Sequence, residues 1–202
     1  MFQSYNTGKH PRSATRPLML IVGHHNHGKD ALADAIFPDD KVARGVSTSR
    51  MLLEFVHSNE ILKQSPDDPW YGLSVEQMYA RRHERSQWLN QIGRAMRALK
   101  PGYLIERFIE RRGISMVGIR DESELCVALR RAFQVIWVED PRKPLTDPTL
   151  EFSFEVLRRR VLGVIDYRES NDVRLLRYIN DGSLDDMRRE VEEADEQGVL
   201  LS

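Results

Sequence analysis

Apolar positions along the chain alternate between short continuous runs and runs spaced by three and four. Continuous runs of five or six, bounded by glycine or polar residues, predict strands buried on both faces of a parallel sheet. Pro17 to Gly23 (PLMLIVG) holds five consecutive apolar residues; Ile114 to Ile119 (ISMVGI) and Gln134 to Val138 (QVIWV) are shorter or interrupted runs that read as two more strands, and Val173 to Ile179 reads as a last, edge strand. Helical spacing predicts elements over Lys29 to Phe37, Ser49 to Lys63, Pro101 to Arg112, Glu122 to Phe133, Phe152 to Leu162 and Leu184 to Ala194. Ser74 and Gln77 have the spacing of a capping box, and one long helix is expected from there to Leu99, stopped by Pro101. Its apolar stripe (Val75, Met78, Tyr79, Trp88, Leu89, Ile92, Met96 and Leu99) is interrupted by the polar run Arg81 to Gln87. Ser65 to Gly72 and Asp140 to Pro148 are dense in turn formers and read as loops.

Strands alternating with helices predict an α/β fold, a three-layer sandwich with a mainly parallel sheet. No repeat, low-complexity segment or clear linker divides the chain. The expectation is a flexible lead-in over residues 1–16 and a single domain over 17–202.

Composition narrows the function. The 202 residues carry 30 Lys+Arg against 31 Asp+Glu, a formal net charge of -1. A nucleic-acid-binding domain usually shows a strong basic excess, so no nucleic-acid partner is expected. The single cysteine, Cys126, excludes an intramolecular disulfide framework and a multi-cysteine zinc site, and fits a reducing compartment. No apolar stretch approaches the roughly 18 residues of a membrane span, and the polar N-terminus does not read as a secretory signal. A cytoplasmic protein without a membrane partner is therefore expected. The oligomeric state is open, a homodimer included.

The sharpest chemical signal lies between the first strand and the first helix. Gly23-His24-His25-Asn26-His27-Gly28-Lys29-Asp30 satisfies GxxxxGK in the context where that spacing has a mechanism. The loop turns at its glycines, its N–H groups converge on a phosphate, and the helix N-terminus adds a favourable dipole. Lys29 would reach the outer phosphates as a point charge. The next residue is Asp30 rather than Ser or Thr, and it could hold Mg²⁺ directly or through water. The competing reading is a glycine-bounded turn with no ligand. His24, His25 and His27 invite a zinc reading, but three histidines in one tight loop would mostly point outward, with no cluster elsewhere to complete the site. They read instead as decoration of the loop, with charge at lower pH helping to hold an anion.

Three further groups follow. The arginine-rich stretch Arg81, Arg82, Arg85, Arg94 and Arg97 lies on the long helix, where Arg81 with Arg85, and Arg94 with Arg97, have spacings that share a face and could grip an acceptor phosphate; the alternative is a solvated face paired with Glu76, Glu84 and other carboxylates. Arg120, Asp121 and Glu124 follow the second strand, at the carboxyl edge where open α/β sheets bind ligands. Arg142 or Lys143, after the third strand, could close over phosphates as a lid.

These pieces together resemble phage-type deoxynucleoside monophosphate kinases, members of the P-loop kinases. GxxxxGKD opening a helix, LNQIGRAMR, VGIRDESEL and NDGSLDDMRREV occur in that order, in patches from about Leu18 to Val191. The resemblance implies a P-loop NTPase fold of the nucleotide kinase type, and transfer of the γ-phosphoryl of ATP to a (deoxy)nucleoside 5′-monophosphate. It implies ATP and Mg²⁺ as cofactors and, if the source is a phage, the host cytoplasm as the location. It places the ATP phosphates on Gly23, His24, His25, Asn26, His27, Gly28, Lys29, Asp30 and Ala31. It makes Lys29, Arg120 and Arg142 catalytic, and sets Arg81, Arg85, Arg94 and Glu124 on the acceptor. Three positions depart from the family: Ala31 replaces a hydroxyl residue, Gly118 stands where an Asp is usual, and Ser123 stands where an Asn is usual. Gly118 and Ala31 motivate an alternative, a catalytically weak nucleotide-binding module of regulatory or assembly function. A kinase of another small molecule, such as dephospho-coenzyme A, is a further alternative, and a domain binding no phosphate is the last.

Overall fold

The computed structural model describes residues 1–5, 18–38, 46–64, 66–110, 115–130, 132–145, 150, 152–167 and 173–200. Its strands are β1 (Phe2–Ser4), β2 (Leu18–Gly23), β3 (Val46–Ser47), β4 (Ser115–Val117), β5 (Ala132–Glu139) and β6 (Arg174–Ile179). Its helices are α1 (Lys29–Ile36), α2 (Thr48–Ser58), α3 (Val75–Ala80), α4 (Ser86–Leu99), α5 (Tyr103–Glu110), α6 (Glu122–Leu129), α7 (Phe154–Tyr167) and α8 (Leu184–Glu196).

The strands form one six-stranded sheet in the order β1-β6-β5-β2-β4-β3. All neighbours are parallel except β1, which runs antiparallel to β6. The architecture is thus α/β with a mostly parallel sheet. β2 lies inside it, hydrogen-bonded to β4 on one side and to β5 on the other. The apolar run from Leu18 to Val22 is at most 1% exposed, because both faces of β2 are covered. Leu18, Leu20 and Val22 point into a core shared with α2 to α7, while Met19 and Ile21 point into a second core shared with α1 and α8. Each such side chain contributes roughly 1.5–3 kcal/mol of transfer free energy when fully buried. This two-sided core holds the C-terminal end of β2, and the loop after it, in one place.

Three expectations change. The N-terminus does not begin as a free lead-in: Phe2 pairs with Tyr178 across β1 and β6, their rings 4.7 Å apart, so β6 is not the sheet edge. The rest of the expected lead-in, residues 6–16, lies outside the described residues, as do 111–114 and 146–149 of the expected helix, strand and loop. The edge strand β3 has two residues, too few for any apolar run to announce it.

The third change bears on function. The long helix from Ser74 to Leu99 is two helices. Its predicted capping box is present, with Gln77 N–H donating to Ser74 Oγ at 3.2 Å and Ser74 N–H to Gln77 Oε1 at 2.8 Å. But α3 ends at Ala80, a 3-10 turn covers Arg82–Arg85, and α4 starts at Ser86. Arg81 (φ -97, ψ 9) and Arg85 (φ -130, ψ 32) leave the helical region on either side of the turn. The polar run has no apolar residue to bury, so no packing opposes the break. Among the described residues no helix is long and apolar enough to cross a membrane.

Candidate functional site

The loop from Gly23 to Gly28 leaves the carboxyl end of β2 and enters α1. Gly23 has φ +143, and a Cβ there would stand 2.2 Å from the Val138 carbonyl oxygen. Only glycine lets β2 turn away while still paired with β5 at Val138. At the other end Gly28 caps α1 with φ +93 and no side-chain hydrogen bond, so the first N–H groups of the helix face the loop.

A backbone N–H and a side chain, from residues that follow two distant strands, brace this loop. Asp140 N–H donates to His27 Nδ1 at 2.9 Å, and Asn180 Nδ2 donates to the His27 carbonyl at 3.1 Å. His27 is 1% exposed, and burial pushes its imidazole below the ordinary value, so it stays neutral. His27 therefore points inward, against the expectation that the loop histidines mostly face outward. It is a structural post, while His25 is exposed. His24 is half-buried and sets its ring edge-on to Trp137, 5.5 Å between centroids. Among the described residues, no group of three or more His, Cys, Asp or Glu is placed to hold a metal ion.

Lys29 is buried, 8% exposed, and its Nζ donates to the His24 carbonyl. The expected phosphate-binding ammonium thus lies within the loop it belongs to. Lys143 donates to the Asn26 carbonyl on the outer side. Arg142, expected as a lid arginine, is instead clamped to the buried Asp140, with Nε 2.8 Å from Oδ1 and Nη2 3.1 Å from Oδ2. This pairing holds the Asp140 carboxyl below the usual carboxylate range and raises Arg142. Arg142 is a clasp on the loop's support, and Lys143 is its neighbour that reaches the loop.

Two contiguous cavities open beside the loop. One, of about 260 Å³, is lined by Gly28, Lys29, Asp30, Ala31 and the α2 N-terminus at Ser47, Thr48 and Ser49. The other, of about 400 Å³, is lined by Leu52, Leu89, Asn90, Arg94, Arg97 and Glu124 among others. His25, Thr48, Ser49, Arg82, His83, Gly118 and Arg120 border both. Arg120 sits at this seam because β4 pairs with β2, which sets its carboxyl end beside the loop.

The second cavity gathers some of the expected acceptor residues and not others. Arg94 lines it, and so does Glu124, whose buried carboxylate is 3.5 Å from Arg97 Nη1. Asp121 caps α6 through the N–H groups of Ser123 and Glu124 and pairs with Arg97 at 3.2 Å. Arg81 and Arg85 line neither cavity. Arg81 pairs with Glu84 in solvent, and Arg85 pairs with Asp68 at 2.8 Å and lies 5.2 and 5.1 Å over the Trp70 and Trp88 rings. The break before α4 removes the helical phase that would have put them on one face. It leaves Arg82, half-buried, and His83, exposed, at the border of both cavities instead. The polar run was the available signal for both, but the residue within it could not be chosen without the backbone.

Gly118 has φ +90, and Thr48 Oγ1 donates to its carbonyl at 3.0 Å. That backbone disfavours any side chain, and the cavity wall presents a hydroxyl there rather than a carboxylate.

Compared with known proteins, the chain matches no protein-family model and no curated protein.

Proposed function

We propose that the chain is a nucleotide kinase of the P-loop type, transferring the γ-phosphoryl of ATP to a (deoxy)nucleoside 5′-monophosphate. The observation that carries this reading is the pair of joined cavities, one at a glycine loop and helix N-terminus, the other lined with arginines. Phosphoryl transfer needs two phosphate-bearing reactants held end to end, and the protein's contribution is positioning and charge neutralisation. The five parallel strands also put the carboxyl end of β2 at a switch point, since the chain passes from β2 to one side of the sheet and later to the other.

In this reading the loop N–H groups and Lys29 hold the donor's outer phosphates, with Lys29 exchanging the His24 carbonyl for phosphate oxygen. Arg82, Arg94 and Arg120 hold the acceptor phosphate. An acceptor phosphate oxygen attacks the γ-phosphorus in line, the bond to the bridging β–γ oxygen breaks, and ADP leaves. Lys29 and Arg120 offset the charge spread over the transferring group. Asp30, exposed on the first turn of α1 beside Thr48, suits a Mg²⁺ ion, which takes one or two carboxylates together with substrate phosphates. That ion would neutralise charge between the donor phosphates.

A second reading, a nucleotide-binding module with little turnover, is favoured by Ala31 and by the Gly118 backbone, which together leave Asp30 as the one carboxylate lining the loop cavity among the described residues. ADP release from MgATP with each common deoxynucleoside and ribonucleoside monophosphate, with Lys29→Ala as control, decides between them. The kinase predicts turnover with one or a few acceptors that the variant loses. No turnover, with Lys29-dependent thermal stabilisation by MgATP, would replace it by the binding module. Dephospho-coenzyme A belongs in the same acceptor panel.

A further inference from the structure

The seam between the two cavities holds a feature that neither cavity requires. His25 comes from the glycine loop and His83 from the 3-10 turn, yet their rings stand edge to face with centroids 6.0 Å apart. Both residues are exposed and both border both cavities. The two imidazoles therefore lie together on the border that the cavities share. Among the described residues, the cavities share His25, Thr48, Ser49, Arg82, His83, Gly118 and Arg120, none of them a carboxylate.

The charges facing this pair are mostly of one sign. Lys29 on α1, Arg82 on the turn, Arg94 on α4 and Arg120 after β4 are basic. Asp30 opposes them on α1, while Arg97 and Glu124 are occupied with each other. A phosphate group in the seam reverses the balance, since each imidazolium then becomes a charge-assisted donor to it. Anion binding and proton uptake by the pair are thus linked, and each strengthens the other.

We infer that His25 and His83 form a phosphate-contacting pair at the seam, which makes the affinity for polyphosphate rise as pH falls through the imidazole range. This rests on the reading of the cavities as phosphate sites, and it adds two binding residues and a pH dependence to that reading. The buried His27 takes no part in it, because its ring is committed to the Asp140 N–H.

The test is calorimetric binding of inorganic tripolyphosphate to the full chain between pH 5.5 and 8.5. Three proteins are compared: the wild type, the His25→Asn/His83→Asn double variant, and Lys29→Ala. The ratio of wild-type to double-variant affinity at each pH cancels the ligand's own protonation. That ratio should grow by about tenfold from pH 8.5 to 5.5, as expected for two added charges near the anion. A ratio that stays flat, with binding still dependent on Lys29, overturns the histidine pair and leaves the phosphate site standing. Binding that Lys29→Ala leaves intact, or no binding at all, overturns the phosphate site and the pair with it.

Discussion

Gly118 offers the most direct test of how backbone geometry shapes the seam, because one methyl group separates a permitted conformation from a strained one. Its φ of +90 lies where L-residues rarely go, and an added Cβ would stand 3.3 Å from Thr48 Oγ1. The strain alone costs about 1–2 kcal/mol. The Thr48 hydroxyl also donates to the Gly118 carbonyl at 3.0 Å, tying the α2 N-terminus to the end of β4, and disturbing that bond costs about 1 kcal/mol more. Gly118→Ala should therefore lose about 2 kcal/mol, which for a chain of this size is a fall in Tm of roughly 4–8 °C. Gly118→Asp carries a smaller backbone strain and adds a negative charge to the cavities that Arg82 and Arg120 also line. Asp tolerates positive φ better than Ala, so its Tm should lie at or above that of the Ala variant and below that of the wild type. Its affinity for tripolyphosphate should drop by about tenfold, since the new carboxylate competes for the same cations. Thermal melts and urea titrations of the three proteins, with calorimetry, measure both effects. A Gly118→Ala variant melting within a degree of the wild type would refute the strain argument. A Gly118→Asp variant that gained monophosphate-dependent turnover would refute the claim that this backbone has no place for a carboxylate.

The remaining predictions concern the arginines and the loop's supports. Arg82→Ala should weaken acceptor monophosphate binding about tenfold or more, the worth of a lost charge-assisted contact, while Arg81→Ala leaves it unchanged by the same titration. Arg85→Ala should spare binding but cost about 1–2 kcal/mol in urea unfolding, because its guanidinium covers two tryptophan rings and pairs with Asp68. His27 is a base whose value is lowered on folding from 6.5, so the unfolded chain takes up its proton first, and stability should fall as pH drops below 6.5. His27→Asn, less stable overall, should lack that slope in a Tm-against-pH series. Asp140 is an acid lowered from 3.8, so its contribution is present above that pH and lost as pH falls beneath it; Asp140→Asn should flatten the acid limb of the same series.

What the sequence made legible was governed by how local each feature's cause is. The β2 strand, the loop glycines and Lys29 were readable because an apolar run of five, two turn residues and a helix start all lie within some fifteen positions. β4 and β5 were readable for the same reason, and the Ser74–Gln77 box is local by construction. β1 escaped because Phe2–Ser4 is held by Tyr178 and its neighbours, far along the chain, and not by any pattern of its own. His27 escaped likewise, since its burial depends on an N–H donated by Asp140, 113 positions away. The arginines show the subtler failure. Their spacing was read on a helix that ends at Ala80 and restarts at Ser86, and a break of phase between two correct elements moves every residue in the gap to an unforeseen direction. Arg81 went to solvent, Arg85 packed over Trp70 and Trp88, and Arg82 and His83 went to the seam. The residues that border both cavities come from the loop after β2, the start of α2, the turn before α4 and the end of β4, and no local pattern spans those four places. Had α3 and α4 been continuous, the pair His25 and His83 would not be fixed by either element, and the arginine cavity would lose the residue that joins it to the loop. The break is therefore part of the site, and the polar run Arg81 to Gln87, read alone as a gap in the apolar stripe, is the sequence's means of making it.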